Sequence, residues 1–280
     1  MMKNQNAKDG AEAKKSVELH LLVEYLFRPI ATPISKGCVH AGITANAVTI
    51  MGGALWFCSI PILLVGADVY SAHIALGAAL VGTAAFLWVF GFLLDVVDGG
   101  VARLTNTSGL AGSYLDLCFH LLFNPLFLSA LGCFLYIVDP LHVIVPILGV
   151  LGSSGNWGPT VAALEQVTIA NAAANKRTSK DECLINLVAI RGHEREAGAR
   201  RRGVVRQLSE EIMYFPGQFV LFFASIISDL FLPKIMGLEF PITLCLFLIS
   251  CIILILSLPF RMYREFCFAK RLESGAQAAD

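Results

Sequence analysis

The stretch AHIALGAALVGTAAFLWVFGFLLDVVDGGVAR, Ala72 to Arg103, runs 23 residues without Asp, Glu, Lys or Arg and then places three charges within nine positions. A helix needs about 20 predominantly apolar residues to cross the hydrocarbon core of a bilayer. Ala72 to Leu94 therefore reads as a membrane span that ends in acids at the membrane edge. Acids in or beside a span are costly to bury and mark functional sites by default.

Outward from this stretch, five more apolar runs are long enough to span: Asn46 to Gly66, Leu110 to Val138, Leu141 to Ala170, Tyr214 to Met236 and Phe240 to Phe260. Asp139-Pro140 and Gly237-Leu238-Glu239 make two tight joints. The 280 residues are 56% hydrophobic and 15% charged, with a mean hydropathy of +0.69. Soluble domains carry about a quarter charged residues, so the deficit points to lipid as solvent. The expected fold class is all-α, a polytopic membrane protein of six transmembrane helices plus an N-terminal amphipathic juxtamembrane helix. That helix is Val17 to Lys36, apolar on successive turns and broken by Pro29 and Pro33. The expected division is a polar tail over 1–16, the juxtamembrane helix over 17–36, a six-span membrane domain over 37–260 and a C-terminal tail over 261–280. The membrane domain contains an active-site segment, 95–120, and a basic cytoplasmic loop, 172–211.

Charge orients the set. Of 21 Lys and Arg, only Lys234 falls on the second side; the other 20 precede span one, sit at Arg103, lie between spans four and five or follow span six. The positive-inside rule puts both termini, the long loop and the acidic segment in the cytoplasm. Zero net charge argues against a nucleic-acid partner. The eight cysteines are scattered without a CxxC pair, so neither a disulfide framework nor a zinc site is expected. The first 18 residues are polar and mixed in charge, which argues against a cleaved signal peptide.

Asp95, Asp98 and Ala102 are spaced to share one helix face, as are Gly112, Asp116 and His120 on the next helix. A short connection makes the two helices antiparallel, so the faces can meet. Three carboxylates converging at a membrane edge repel one another unless a cation joins them, and oxygen ligands without cysteine suit Mg²⁺ or Mn²⁺. A pair of such ions clamps a diphosphate and its leaving group in many enzymes. Gly99, Gly100 and Gly112 allow close approach of a ligand, and Arg103 is placed to neutralise phosphate oxygens. One Asp at a helix end is ordinarily a solvated cap, and glycine in a span ordinarily serves helix packing; the ordered combination outweighs both readings here.

That order resembles the signature of the CDP-alcohol phosphotransferase family, DxxDGxxAR, eight residues, then GxxxDxxxD. Here it reads Asp95, Asp98-Gly99, Ala102-Arg103, eight residues, Gly112, Asp116, with His120 in place of the fourth Asp. Asn46-Ala47-Val48-Thr49 is similar to the motif that opens the family's first span, with Ala45 where Pro is usual. The resemblance implies that Asp95, Asp98 and Asp116 ligate two divalent ions. It implies that Asp95, Gly99, Ala102 and Gly112 line the CDP pocket and that Arg103 helps hold the phosphates or the helix geometry. It also implies a homodimer among membrane lipids. The reaction implied is attack of an alcohol on a CDP-linked donor, transferring a phosphoryl-alcohol or phosphatidyl group and releasing CMP.

The family's fourth Asp is the general base. His120 in that register is a candidate base in its place, a ligand that shifts preference toward Mn²⁺, the sign of an idle site, or a hydrogen-bonded packing residue. The basic loop reads either as a lipid-surface and topology device or, through Arg195 and Arg200 to Arg202, as favouring an anionic acceptor such as a polyol phosphate over a plain alcohol or lipid. His142, Glu165 and Asp229 are further polar groups in or near spans. Two alternatives stand beside transfer: a metal-dependent hydrolase of a CDP-linked diphosphate, and a non-catalytic nucleotide- or lipid-binding membrane protein. A transporter is disfavoured, because the acids cluster at one membrane edge rather than at the midplane.

Overall fold

A computed structural model describes residues 23–107, 110–140, 143–154, 217–232 and 238–277. A π-helical turn, Val23–Phe27, runs into α1, Arg28–His40. Then come α2 (Ala45–Ala72), α3 (Ile74–Leu104), α4 (Leu110–Val138), α5 (Val145–Ser154), α6 (Gly217–Phe231) and the long α7 (Pro241–Gln277). Pro29 falls in the first turn of α1, where a missing N–H costs no helical bond. Phe27, Ala31 and Ser35, four residues apart, form the buried stripe of this first segment, while Tyr25, Leu26 and Ile30 are exposed.

Helices α2 and α3 form a close antiparallel hairpin. The Thr44 hydroxyl caps α2 by accepting from the Ala47 N–H at 3.3 Å. At the far end His73 joins the two helices directly, and a Cβ on Gly77 would run into the Tyr70 backbone. Near the acidic end, a Cβ on Gly52 would lie 3.1 Å from the Gly91 carbonyl oxygen, so this hairpin closes on small residues as membrane helix pairs do. Helix α3 stops in a Schellman turn. The Thr107 N–H donates to the Ala102 carbonyl (3.0 Å) and the Asn106 N–H to the Arg103 carbonyl (3.4 Å), with Asn106 left-handed at φ 53°. This turn fixes where α3 ends and sends the chain back into α4.

The core is aromatic. Trp56, Trp88, Phe92, Phe123, Phe127, Phe134, Phe222 and Phe247 are all essentially fully buried. Rings of Trp56, Phe123 and Phe219 stack at centroid distances of 5.0 to 6.1 Å and bind α2, α4 and α6 together. Helix α5 lies against α4 and α7, since a Cβ on Gly149 or Gly152 would meet the Leu128 carbonyl or Cys251 respectively. Asp229 near the end of α6 accepts from the Ile242 and Thr243 N–H groups at 3.1 and 2.7 Å, capping α7 from the neighbouring helix.

Among the described residues, all regular structure of any length is helical, and four helices are long and apolar enough to cross a membrane. They are Ala45–Ala72, Ile74–Leu104, Tyr114–Val138 and Pro241–Phe260. They correspond to expected spans one, two, three and six, with the first extended by more than a turn and the second carried through both acids to Leu104. The described parts of spans four and five are the shorter apolar helices Val145–Ser154 and Gly217–Phe231. The remainder of those two spans, the loop over 172–211, His142, Glu165 and the tail before residue 23 lie outside the described residues.

Candidate active site

Asp95 stands on α3 nine residues before its last residue, and Asp116 and His120 share one face of α4 four residues apart. Both helices pack against α2, and there the three side chains meet. His120 Nε2 lies 3.1 Å from Asp95 Oδ1 and 3.2 Å from Asp116 Oδ1. One ligand atom from each of the three side chains falls within 4.8 Å of the other two. Two carboxylate oxygens and one imidazole nitrogen converging at that spacing fit a divalent ion such as Mg²⁺ or Mn²⁺, with nitrogen favouring the softer of the pair. Asp116 is the most open of the three, with 43% of its side chain accessible against 21% for Asp95 and 15% for His120.

Asp98 is placed differently from its expected partners. It lies beside the trio, and its Oδ2 accepts from the Thr49 hydroxyl at 2.5 Å, a bond from α2 that holds the carboxylate in one rotamer. Asp98 and Asp116 nevertheless line the same cavity of about 190 Å³, together with Ala45, Asn46, Thr49, Gly99, Ala102, Arg103, Thr107 and Gly112. Every residue expected to line a nucleotide pocket is there except Asp95. Asp95 instead lines a second cavity of about 10 Å³ with Thr49, Gly52, Gly53, Trp56, Gly91 and Phe119, bounded also by Asp98 and Asp116. Thr49, Asp98 and Asp116 line both cavities, the open pocket and the space the size of one water molecule.

The glycines divide their work. A Cβ on Gly112 would lie 3.3 Å from Asn46 Oδ1, and one on Gly99 3.2 Å from the Arg103 guanidinium, so both keep the larger pocket open. Gly100 has another task. Ser35 of α1 occupies the space a Cβ there would need, and its hydroxyl shares its hydrogen between the carbonyls of Ala31 (2.9 Å) and Val97 (3.0 Å). The expectation that Gly100 admits a ligand is therefore corrected: it admits the helix α1. Arg103, in the last turn of α3, is within electrostatic reach of Asp98 and of Arg28, which itself pairs with Glu24.

Thr49, Asn46 and Trp56 belong to the site without having been assigned a role from sequence. The first two carried a signal, the Asn-x-x-Thr order at the start of span one. Trp56 carried only its spacing, two helical turns beyond Thr49.

The sequence model of the CDP-alcohol phosphatidyltransferase family matches residues 42–190, just over half of the chain and including all residues of the site. The chain belongs to this family. No curated protein and no solved structure matches it. As a CDP-alcohol phosphatidyltransferase family member with four apolar spanning helices, it is an integral membrane protein of the phosphotransferase type. The family uses a CDP-alcohol donor, an alcohol acceptor and a divalent metal, and the trio of Asp95, Asp116 and His120 could hold such an ion. His120 sits among the acids, where the family pattern has another Asp.

Proposed function

We propose that this protein moves a phosphoryl-alcohol or phosphatidyl group from a CDP-linked donor to an alcohol acceptor, with release of CMP and dependence on Mg²⁺ or Mn²⁺. The observation that carries the reading is the junction of the ligand trio with a roomy cavity lined by Gly99, Ala102, Arg103 and Gly112. We further propose six spans, an interfacial helix over 17–36, cytoplasmic termini and active site, and a homodimer. These rest on the apolar runs, on the distribution of Lys and Arg and on the family resemblance.

In this reading Asp95, Asp98, Asp116 and His120 hold the metal, as two ions when Asp98 takes part. Bound divalent metal supplies charge to the diphosphate oxygens and stabilises the leaving phosphate. Thr49 fixes the Asp98 carboxylate. Gly99, Ala102 and Gly112 leave room for the nucleotide, and Arg103 offsets phosphate charge. The acceptor oxygen forms a new bond to phosphorus as the bond to the CMP oxygen breaks. His120 Nε2 is already turned to Asp95 and Asp116. With Nε2 as ligand the other ring nitrogen carries the imidazole hydrogen, so the hydroxyl proton goes to a carboxylate of the site.

The small cavity favours a second reading. A space of about 10 Å³ against Asp95 suits water as the acceptor, which would make the enzyme a hydrolase of the same donor. Purified protein given CDP-linked donors and either ion separates the two. Transfer requires CMP release that depends on added alcohol or polyol phosphate, and hydrolysis gives CMP without it. Donor binding without turnover would overturn both in favour of a binding protein.

A further inference from the structure

We propose that Trp56 is a positioning residue for His120, its indole holding the imidazole in the orientation that turns Nε2 to Asp95 and Asp116. The proposal rests on the reading that these three groups hold a metal. Trp56 is itself immobilised from three directions. Its Nε1–H donates to the Trp88 carbonyl oxygen at 3.1 Å, its ring stacks on Phe123 at 5.0 Å with planes 10° apart, and only 2% of it is accessible. Gly91 of α3 makes the site for it, because a Cβ there would overlap the indole.

Against this fixed ring lies the His120 imidazole, centroids 5.2 Å apart and planes tilted by 58°. Rotation about the last side-chain bond of histidine is broad and roughly two-fold. Two carboxylates attract the ring but do not by themselves fix its plane, whereas a packed aromatic neighbour does. Thr49 and Trp56, seven residues apart on α2, thereby set Asp98 of α3 and His120 of α4 from one rigid support. An aspartate at position 120 has no ring to orient, so this support belongs to the histidine form of the site.

Mn²⁺ affinity of the full-length protein in detergent tests the proposal through a double-mutant cycle. Trp56→Leu should weaken Mn²⁺ binding about tenfold, the scale of losing a group that orients a ligand, while Trp56→Phe keeps most of the affinity. In a His120→Asp background Trp56→Leu should cost nothing. The same loss in both backgrounds, or no loss in either, overturns the proposal. If Trp56→Leu does not fold, a Trp88→Phe, Trp157→Phe chain leaves Trp56 as the one remaining tryptophan of three. His120→Asp should then change its emission, and an unchanged spectrum overturns the contact. Mn²⁺ binding with the expected pattern but no CMP release would sink the transfer reading and leave Trp56 in place. CMP release with an additive cycle would do the reverse, and absence of Mn²⁺ binding would overturn the metal reading, with the emission test deciding the contact.

Discussion

His120 Nε2 stands 3.1 Å from Asp95 Oδ1, so that α4 touches α3 through a nitrogen where the family pattern would place a carboxylate. With Asp116 Oδ1 at 3.2 Å on the same nitrogen, three side chains point at one small volume. The exchange of Asp for His removes one negative charge from that volume. It replaces a hard ligand by one that Mn²⁺ accepts more readily than Mg²⁺.

His120→Asp, measured as CMP release in each ion, should therefore raise the Mg²⁺-supported rate relative to the Mn²⁺-supported one. His120→Ala should lower the rate by roughly 10²-fold with either ion, whether the ring is ligand or base. Near-normal activity in His120→Ala would remove this residue from the mechanism.

Asp98 depends on α2. Thr49→Val keeps the shape of the side chain and deletes the 2.5 Å bond to Oδ2. Metal affinity should drop about tenfold and recover in Thr49→Ser, as titration calorimetry would read. Equal affinity in Thr49→Val and the parent would mean that the bond only packs the helices.

The larger cavity is open because Gly112 has no side chain. Gly112→Val would bring atoms against Asn46 and into that space. KM for the CDP-linked donor should rise about tenfold or more, the scale of one overfilled site, with Mn²⁺ affinity little changed. A change in metal affinity alone would place the nucleotide elsewhere.

Far from the site, Asp229→Ala would leave the first N–H groups of α7 without their acceptor. Stability should decrease by about 1–2 kcal/mol in a thermal or denaturant assay, with donor KM unchanged. Asp229→Asn should recover part of the loss.

Much of this was legible from order and period. Long charge-free runs revealed the four spanning helices, because lipid demands uninterrupted apolar length. Four-residue spacing put Asp116 and His120 on one face, and the short joint between helices brought that face to Asp95. Three things were not legible. Asp98 lies beside the trio and is bonded by Thr49, 49 positions earlier. Gly100 serves Ser35 rather than a ligand, a fact that only the crossing of α1 over α3 decides. Trp56 resembles any core aromatic until its ring is found against His120. Each is a contact between helices distant in sequence, and periodicity within one helix carries no information about its neighbours' side chains.

The central claim, that His120 completes a divalent-metal centre with Asp95 and Asp116, is tested most directly by pulsed paramagnetic resonance on the Mn²⁺-loaded protein. The echo should carry modulation from a directly bound histidine nitrogen, and His120→Asp should abolish it while retaining bound Mn²⁺. Bound Mn²⁺ without nitrogen modulation in the parent chain, or modulation that survives His120→Asp through another of the six histidines, would contradict the account.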